Sequence, residues 1–274
     1  MGRSGQEPTG LIFLGRSTHP TGLLLSAHLA IIQQFQNDAS RVTFLLIHGA
    51  FHGGWCWAPL LDRLSRKGFK ALAPSLSGMG AETDSDPTKV SLDTHIADVC
   101  AIIESQKLDD IVLVGHSYGG MPITGVADKM PGRIRTLVYL DAMIPENGKS
   151  ALDVRYPSSA HFPTPDESGL IPPVPAHVFN LSGEMKNWVD RQLQPQPPRT
   201  ITQPISLEGA WKQVSRKIYL RATRYEAPWF DRFLSEKSSD PAWETYRYPW
   251  GHDMMITHPD ELSKFLINCS QSRN

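Results

Sequence analysis

At 274 residues the chain is long enough to bury one large core and still carry an insertion. With 40% hydrophobic and 20% charged residues, it has the composition of a soluble globular protein. Its 27 Lys and Arg against 28 Asp and Glu give a formal charge of -1 with no basic cluster, so neither nucleic acid nor an anionic membrane is an expected partner.

Residues 1–40 read as an N-terminal extension. Their apolar run, residues 22–32, follows Arg3 and Arg16 in the manner of a secretory signal. His28 interrupts the run, no small-x-small cleavage site follows, and the run is too short to cross a membrane. A cytoplasmic protein is expected, with secretion through this segment as the alternative.

From Arg41 the chain alternates. Residues 41–48 are a short apolar run with the look of a buried parallel strand. Residues 57–67 carry Leu60, Leu61 and Leu64 at helical spacing, and Gly68 stops them. A second strand covers 69–73, a polar loop 78–88, and a helix 91–105 with Ile96, Val99, Cys100 and Ile103 on one face. Further strands follow at 111–114, 134–140, 217–220 and 243–248, with helices at 119–129 and 259–268. Strand and helix alternating in this way predict an α/β fold, a mostly parallel central sheet with helices on both faces. Between 145 and 215 the alternation breaks. Eleven prolines crowd the stretch around one expected helix near 182–193. So long an irregular segment inside a compact domain points to a functional insertion, read here as a cap. The expected organisation is an extension at 1–40, a core at 41–144 and 216–274, and a cap at 145–215.

Three motifs carry chemistry. Gly115-His-Ser-Tyr-Gly119 fits G-x-S-x-G, with an apolar strand before it and a helix after, as a nucleophile elbow requires. Ser117 is the candidate nucleophile, against the bland reading of a glycine-rich turn with an incidental serine. His48-Gly-Ala-Phe-His-Gly-Gly54 follows the first strand. The backbone N–H groups of Ala50 and Tyr118 are the expected oxyanion hole, which would stabilise the negative oxygen of a tetrahedral intermediate. Trp250-Gly-His-Asp253 follows the last strand, and His252 is favoured among ten histidines by position and by the chain order Ser, acid, His. His258 is its rival and reads as the approach to the last helix, with Pro259 in the first turn. The cysteines Cys56, Cys100 and Cys269 are too scattered for a zinc site or a disulfide framework, so each reads as a small hydrophobe.

Leu46–Trp57, Val114–Met121 and Gly251-His252 together resemble the branch of the α/β-hydrolase superfamily that holds plant methylesterases, hydroxynitrile lyases and bacterial carboxylesterases of the pyrethroid-hydrolase type. The resemblance runs from about Val42 to Asn268 and is faint in the proline-rich stretch. It implies a serine carboxylesterase acting on hydrophobic esters, pyrethroid-like esters or lactones among them, through an acyl-enzyme and without metal or organic cofactor. The triad acid is where this chain departs from its relatives. The position after strand 217–220 that carries the acid in plant members corresponds to Tyr225, which cannot serve. Glu226 is next to it. Asp141, after strand 134–140, is the other candidate and the preferred one, because the base needs an orienting group in reach. Phe51, Trp55, Met121 and Met143 are expected to bind the apolar substrate; Trp57, Tyr118, Met185 and Trp188 are further candidates, though each equally suits a core. A carbon–carbon lyase would need a lysine near the base, for which Lys186 is the candidate. A non-catalytic receptor on the same fold is the third reading.

Overall fold

The computed structural model describes residues 42–80, 86–155 and 162–271. The residue 1–40 extension and its apolar run lie outside them. Six strands form one sheet: β1 Thr43–Ile47, β2 Lys70–Leu72, β3 Ile111–His116, β4 Ile134–Leu140, β5 Arg216–Ala222 and β6 Trp243–Tyr248. Their order is β2-β1-β3-β4-β5-β6, and every neighbouring pair is parallel. β1 and β3 are buried along their whole length, which is why they read as unbroken apolar runs rather than alternating ones.

The helices are α1 Ala58–Arg66, α2 Leu92–Ser105, α3 Gly120–Lys129, α4 Ala151–Arg155, α5 Gly183–Asp190, α6 Pro198–Thr202, α7 Pro228–Ser238, α8 Met254–Thr257 and α9 Pro259–Ser270. Ser91 and Thr94 close a capping box that starts α2. Two side chains of β4 show that helices cover both faces of the sheet. The Thr136 hydroxyl donates to the Cys269 carbonyl of α9 at 3.2 Å, and the Tyr139 hydroxyl bonds Thr124 of α3 at 2.6 Å. Residues an odd number apart on a strand point to opposite faces, so α9 and α3 lie on opposite sides. α1 packs against α9, and α2 against α3.

α7 was not anticipated. Its signal is Pro228 at the first turn, followed by Trp229, Phe230, Phe233 and Leu234, all buried on one side. Among the described residues of 145–215 there are three short α-helices where one was expected, α4, α5 and α6. Ile171 and Gln196 add an isolated antiparallel bridge, with N–O distances of 2.9 and 2.8 Å. This stretch is fastened to the loop after β1: Phe51 N–H donates to the Gln196 side-chain oxygen at 2.9 Å, and Gln194 N–H donates to Phe51 O at 2.8 Å.

The chain leaves β1 toward β2 on one side and returns to β3 on the other. The carboxyl ends of β1 and β3 therefore flank a crevice, the place where open parallel sheets put their ligands. Residues 48–54 and Ser117 stand at those two ends.

Candidate active site

β3 delivers Ser117 with φ +55, a left-handed conformation that a non-glycine residue holds only when its surroundings enforce it. Two contacts do so. The Ser117 carbonyl accepts from Met143 N–H at 2.9 Å, and α3 begins so close to the chain after β4 that a Cβ on Gly120 would overlap the Met143 carbonyl. The loop after β1 approaches as closely, since a Cβ on Gly49 would sit 2.9 Å from Ser117 Cβ. Ala50 in that loop and Tyr118 after the serine both line the cavity into which Ser117 faces.

The ring of His252 is held from one side by a carboxylate. His252 Nδ1 lies 2.7 Å from Asp141 Oδ2, and the two residues are 2% and 0% exposed. A carboxylate only accepts, so Nδ1 carries the proton and Nε2 is the free base nitrogen. The other Asp141 oxygen accepts from Arg221 at 2.9 Å and from Ala222 N–H at 3.1 Å. Leu140 pairs with Leu220 in the register of β4 and β5, which brings Asp141 beside Arg221. Arg221 reaches on to Asp231 at 2.8 Å, so the buried cation is paired twice. Asp141 also has positive φ, +45, where β4 turns sharply into the site.

Of the two acid candidates, Asp141 meets the histidine and Glu226 does not. Glu226 is exposed and lines an adjoining surface hollow rather than the cavity that holds Ser117. Tyr225, at the position the resemblance assigns to the acid, stacks on the His252 ring at 4.2 Å between centroids, with Phe230 on the ring at 5.6 Å. His258, the rival base, bonds Thr257 and stacks on Trp250, away from the cavity.

Three further histidines hold the site together, and sequence reasoning missed them. His116 is buried and donates Nε2–H to the His252 carbonyl at 3.0 Å, pinning the loop that carries the base. Burial, and next the neighbouring His252, keep it well below the ordinary histidine pKa and neutral. His48 accepts from Leu76 N–H at 3.1 Å, and burial pushes its pKa down to about 3. His52 lies beside the cavity with Nδ1 2.8 Å from Ala50 O and Nε2 3.2 Å from Asp253. Burial opposes its charge, but the Asp253 carboxylate outweighs burial and the His52 pKa is raised. This ion pair grips the Ala50 carbonyl and so fixes the peptide of the β1 loop. The signal available in the sequence was the repeated histidine of the glycine loop and the Asp immediately after His252.

The cavity holds about 250 Å³ and contains Ser117 and His252 among mostly apolar walls. Of the expected substrate contacts, Phe51 and Met143 line it. Trp55 and Met121 do not. Trp55 packs between His52 and Trp188 at 5.2 and 5.3 Å, and Met121 is wholly buried in α3. Both pack outside the cavity lining, since an apolar side chain in the sequence suits a core face and a cavity wall alike. Trp57 is core, Met185 is exposed and Trp188 lies behind Trp55. Lys186 is ion-paired with Asp190 at 2.6 Å and does not line the cavity. The described cysteines are unpaired, with Cys56 and Cys269 buried and Cys100 half-buried. Among the described residues, no three His, Cys, Asp or Glu side chains gather as a metal site would.

A strained serine, a carboxylate-held histidine and a glycine loop at the switch point define a site of the serine-hydrolase kind. The chain belongs to the alpha/beta hydrolase family, whose sequence model matches residues 44–265. It is 38% identical over 235 residues to a carbendazim-hydrolyzing esterase of Nocardioides sp. (strain SG-4G), covering 81% of this chain and 97% of that one. A putative methylesterase 11 of Arabidopsis thaliana is 32% identical over 141 residues, 51% of this chain and 36% of that protein. The solved pyrethroid hydrolase of Sphingobium faniae JZ-2 superposes with a TM-score of 0.66 at 22% identity, over 84% of this chain and 97% of that one, and shares the fold.

Proposed function

We propose that this chain is a serine carboxylesterase that cleaves small hydrophobic carboxylic esters through an acyl-enzyme, with Ser117, His252 and Asp141 as the triad. The observation that carries the reading is the 2.7 Å bond from His252 Nδ1 to buried Asp141, with Nε2 left for the cavity that Ser117 shares. His252 Nε2 takes the Ser117 hydroxyl proton as Oγ bonds the ester carbonyl carbon, and the carbonyl electrons move onto oxygen. The Ala50 and Tyr118 N–H groups hold that oxyanion. When the C–O bond breaks, His252 protonates the leaving alcohol. Water, deprotonated by the same nitrogen, then releases the acid and restores Ser117.

Residues 145–215 act as the cap of this site. Val174, Val178, Phe179 and Ile201 from that stretch supply the apolar wall opposite the serine. One relative is a carbendazim-hydrolyzing esterase and one structural neighbour a pyrethroid hydrolase, which supports an apolar small-molecule substrate for this chain. A lyase depending on Lys186 finds no support, since that lysine is neutralised by Asp190 outside the cavity. Among the described residues no helix is long and apolar enough to cross a membrane.

The test is a stopped-flow assay with p-nitrophenyl butyrate. A burst of p-nitrophenol stoichiometric with enzyme, lost in Ser117→Ala, is the expected result. Binding of ester without any burst or turnover would favour the receptor reading instead.

A further inference from the structure

One cavity residue has no place in the triad, the oxyanion loop or the apolar wall. Arg155 ends α4, and its side chain lines the cavity that holds Ser117 and His252. The guanidinium carbon lies 4.4 Å from the ring centre of Trp229 and 5.3 Å from that of Phe162, so two aromatic residues grip it. Its Nε is buried and bonded to nothing.

The other sequestered arginines contrast with it. Arg216 is paired with Glu244 at 2.7 Å, and Arg221 with Asp141 at 2.9 Å and Asp231 at 2.8 Å. Among the described residues Arg155 has no ion-pair partner. Burial lowers its pKa, but an arginine stays charged at any working pH. A part-buried cation without an anion is unfavourable unless a ligand completes it. Aromatic packing accounts for the stem and the faces of the guanidinium; it does not account for an N–H edge left without an acceptor.

The position of α4 is fixed at both ends. Ser150 and Asp153 bond each other's backbone N–H groups at its start, at 2.8 and 3.2 Å, and Arg232 donates to the Val154 carbonyl at 2.8 Å near its end. Arg155 is therefore a placed group rather than a surface side chain that happens to fold inward. Tyr225, which stacks on His252, lines both the cavity and the adjoining hollow, as do Arg155 and Trp229.

We propose that Arg155 is the specificity-determining residue of this cavity, receiving a carboxylate carried by the substrate, so that the preferred substrate is an apolar ester bearing an anionic group beyond the scissile bond. The planar guanidinium fork suits a carboxylate, and the aromatic walls on either side suit an apolar body between acid and ester. The proposal rests on the esterase reading of Ser117 and names the substrate class of that same site.

The test compares p-nitrophenyl hydrogen glutarate, which carries a free carboxylate, with its neutral methyl ester. The wild-type enzyme is expected to favour the acid by about tenfold or more in kcat/KM, the range for one charge-assisted hydrogen bond. Arg155→Met should bring that ratio to about one by losing activity on the acid more than on the neutral ester; Arg155→Lys should fall between, and added salt should shrink the wild-type preference. Calorimetry of the half-ester with Ser117→Ala gives a readout independent of turnover, with binding lost when Arg155→Met is added. A wild-type ratio near one, or a parallel drop on both esters in Arg155→Met, overturns the Arg155 assignment and leaves the esterase reading standing. If neither ester is turned over but the half-ester binds in an Arg155-dependent way, the esterase reading fails and the anion site remains. Should Arg155→Met not fold, Arg155→Lys is judged on the same ratio.

Discussion

The ends of β4 and β5 are neighbours in the sheet and both reach His252, yet they do different work. β4 ends in Asp141, a buried carboxylate 2.7 Å from the ring nitrogen. β5 ends in Arg221 and Ala222, which bond that carboxylate, and then in Tyr225, which stacks on the same ring. Relatives are expected to carry an acid after the fifth strand; here the carboxylate that meets the histidine ring stands one strand over, and an aromatic ring occupies that place. The requirement on the sheet is thus a carboxylate in reach of Nδ1, with its second oxygen satisfied; which strand end supplies it is open, because adjacent parallel strands finish within a few ångströms of each other.

That contrast can be broken by mutation, beginning with the largest effect. Ser117→Ala should lower kcat by on the order of 10⁴–10⁶, read with a p-nitrophenyl ester, and activity near wild type would remove the nucleophile assignment. Asp141→Asn should cost about 10⁴ in kcat by losing the tautomer and charge that His252 needs, and it should also lower Tm because Arg221 is left underpaired. If that variant turned over normally, the end of β4 would not be the acid site.

The two methionines separate core from cavity. Met121→Ala should destabilise the fold by about 2–5 kcal/mol in urea unfolding while leaving the order of substrate preference intact. Met143→Ala should instead shift preference toward bulkier esters, seen in a series of acyl lengths; a reversal of these two outcomes would undo the assignment of the wall.

Stability should also fall with acid in a defined window. His48 and His95 have pKa values lowered to about 3 and about 4 by burial, and His116 is lowered as well. Their folded pKa values lie below the unfolded value, so the unfolded chain binds more protons as pH drops below about 6.5, and stability is lost down to the folded values at up to about 1.4 kcal/mol per pH unit for each. His52, with a raised pKa, acts in the opposite sense. A pH series of Tm should fall below pH 6.5, and His95→Gln should flatten that slope; an unchanged slope would mean His95 is protonated in the native state. The smallest effects belong to Glu226→Gln and Lys186→Ala, each expected within about twofold of wild type in ester turnover, since one side chain is solvated and the other tied to Asp190.

Much of this was legible in the residues. The central strands β1 and β3 followed from unbroken apolar runs, because a strand buried on both faces leaves that trace in a sequence; the edge strands β2 and β6 are partly exposed and followed from their place in the alternation. Ser117 was legible because the elbow is local: strand, tight turn and helix follow one another without a break from Ile111 to Lys129, and the glycines are demanded by contacts inside the turn and with the loop after β1. His252 followed from order along the chain. α7 was overlooked although Pro228 and its apolar spacing announced it, and that Trp55 and Met121 lie outside the cavity lining was not legible, because a buried face looks the same whether its neighbour is core or substrate.

What the sequence by itself determined was therefore carried by neighbours along the chain: the sheet's strands, the tight turn at Ser117, the glycine loop and the place of His252. Which of Asp141 and Glu226 meets the His252 ring is visible only in the tertiary structure, as are the His116 tether, the His52–Asp253 pair and the unpaired edge of Arg155. Each of these depends on side chains tens of residues apart meeting within hydrogen-bond distance, or failing to. That is set by strand register and helix packing, and no spacing along the chain encodes it.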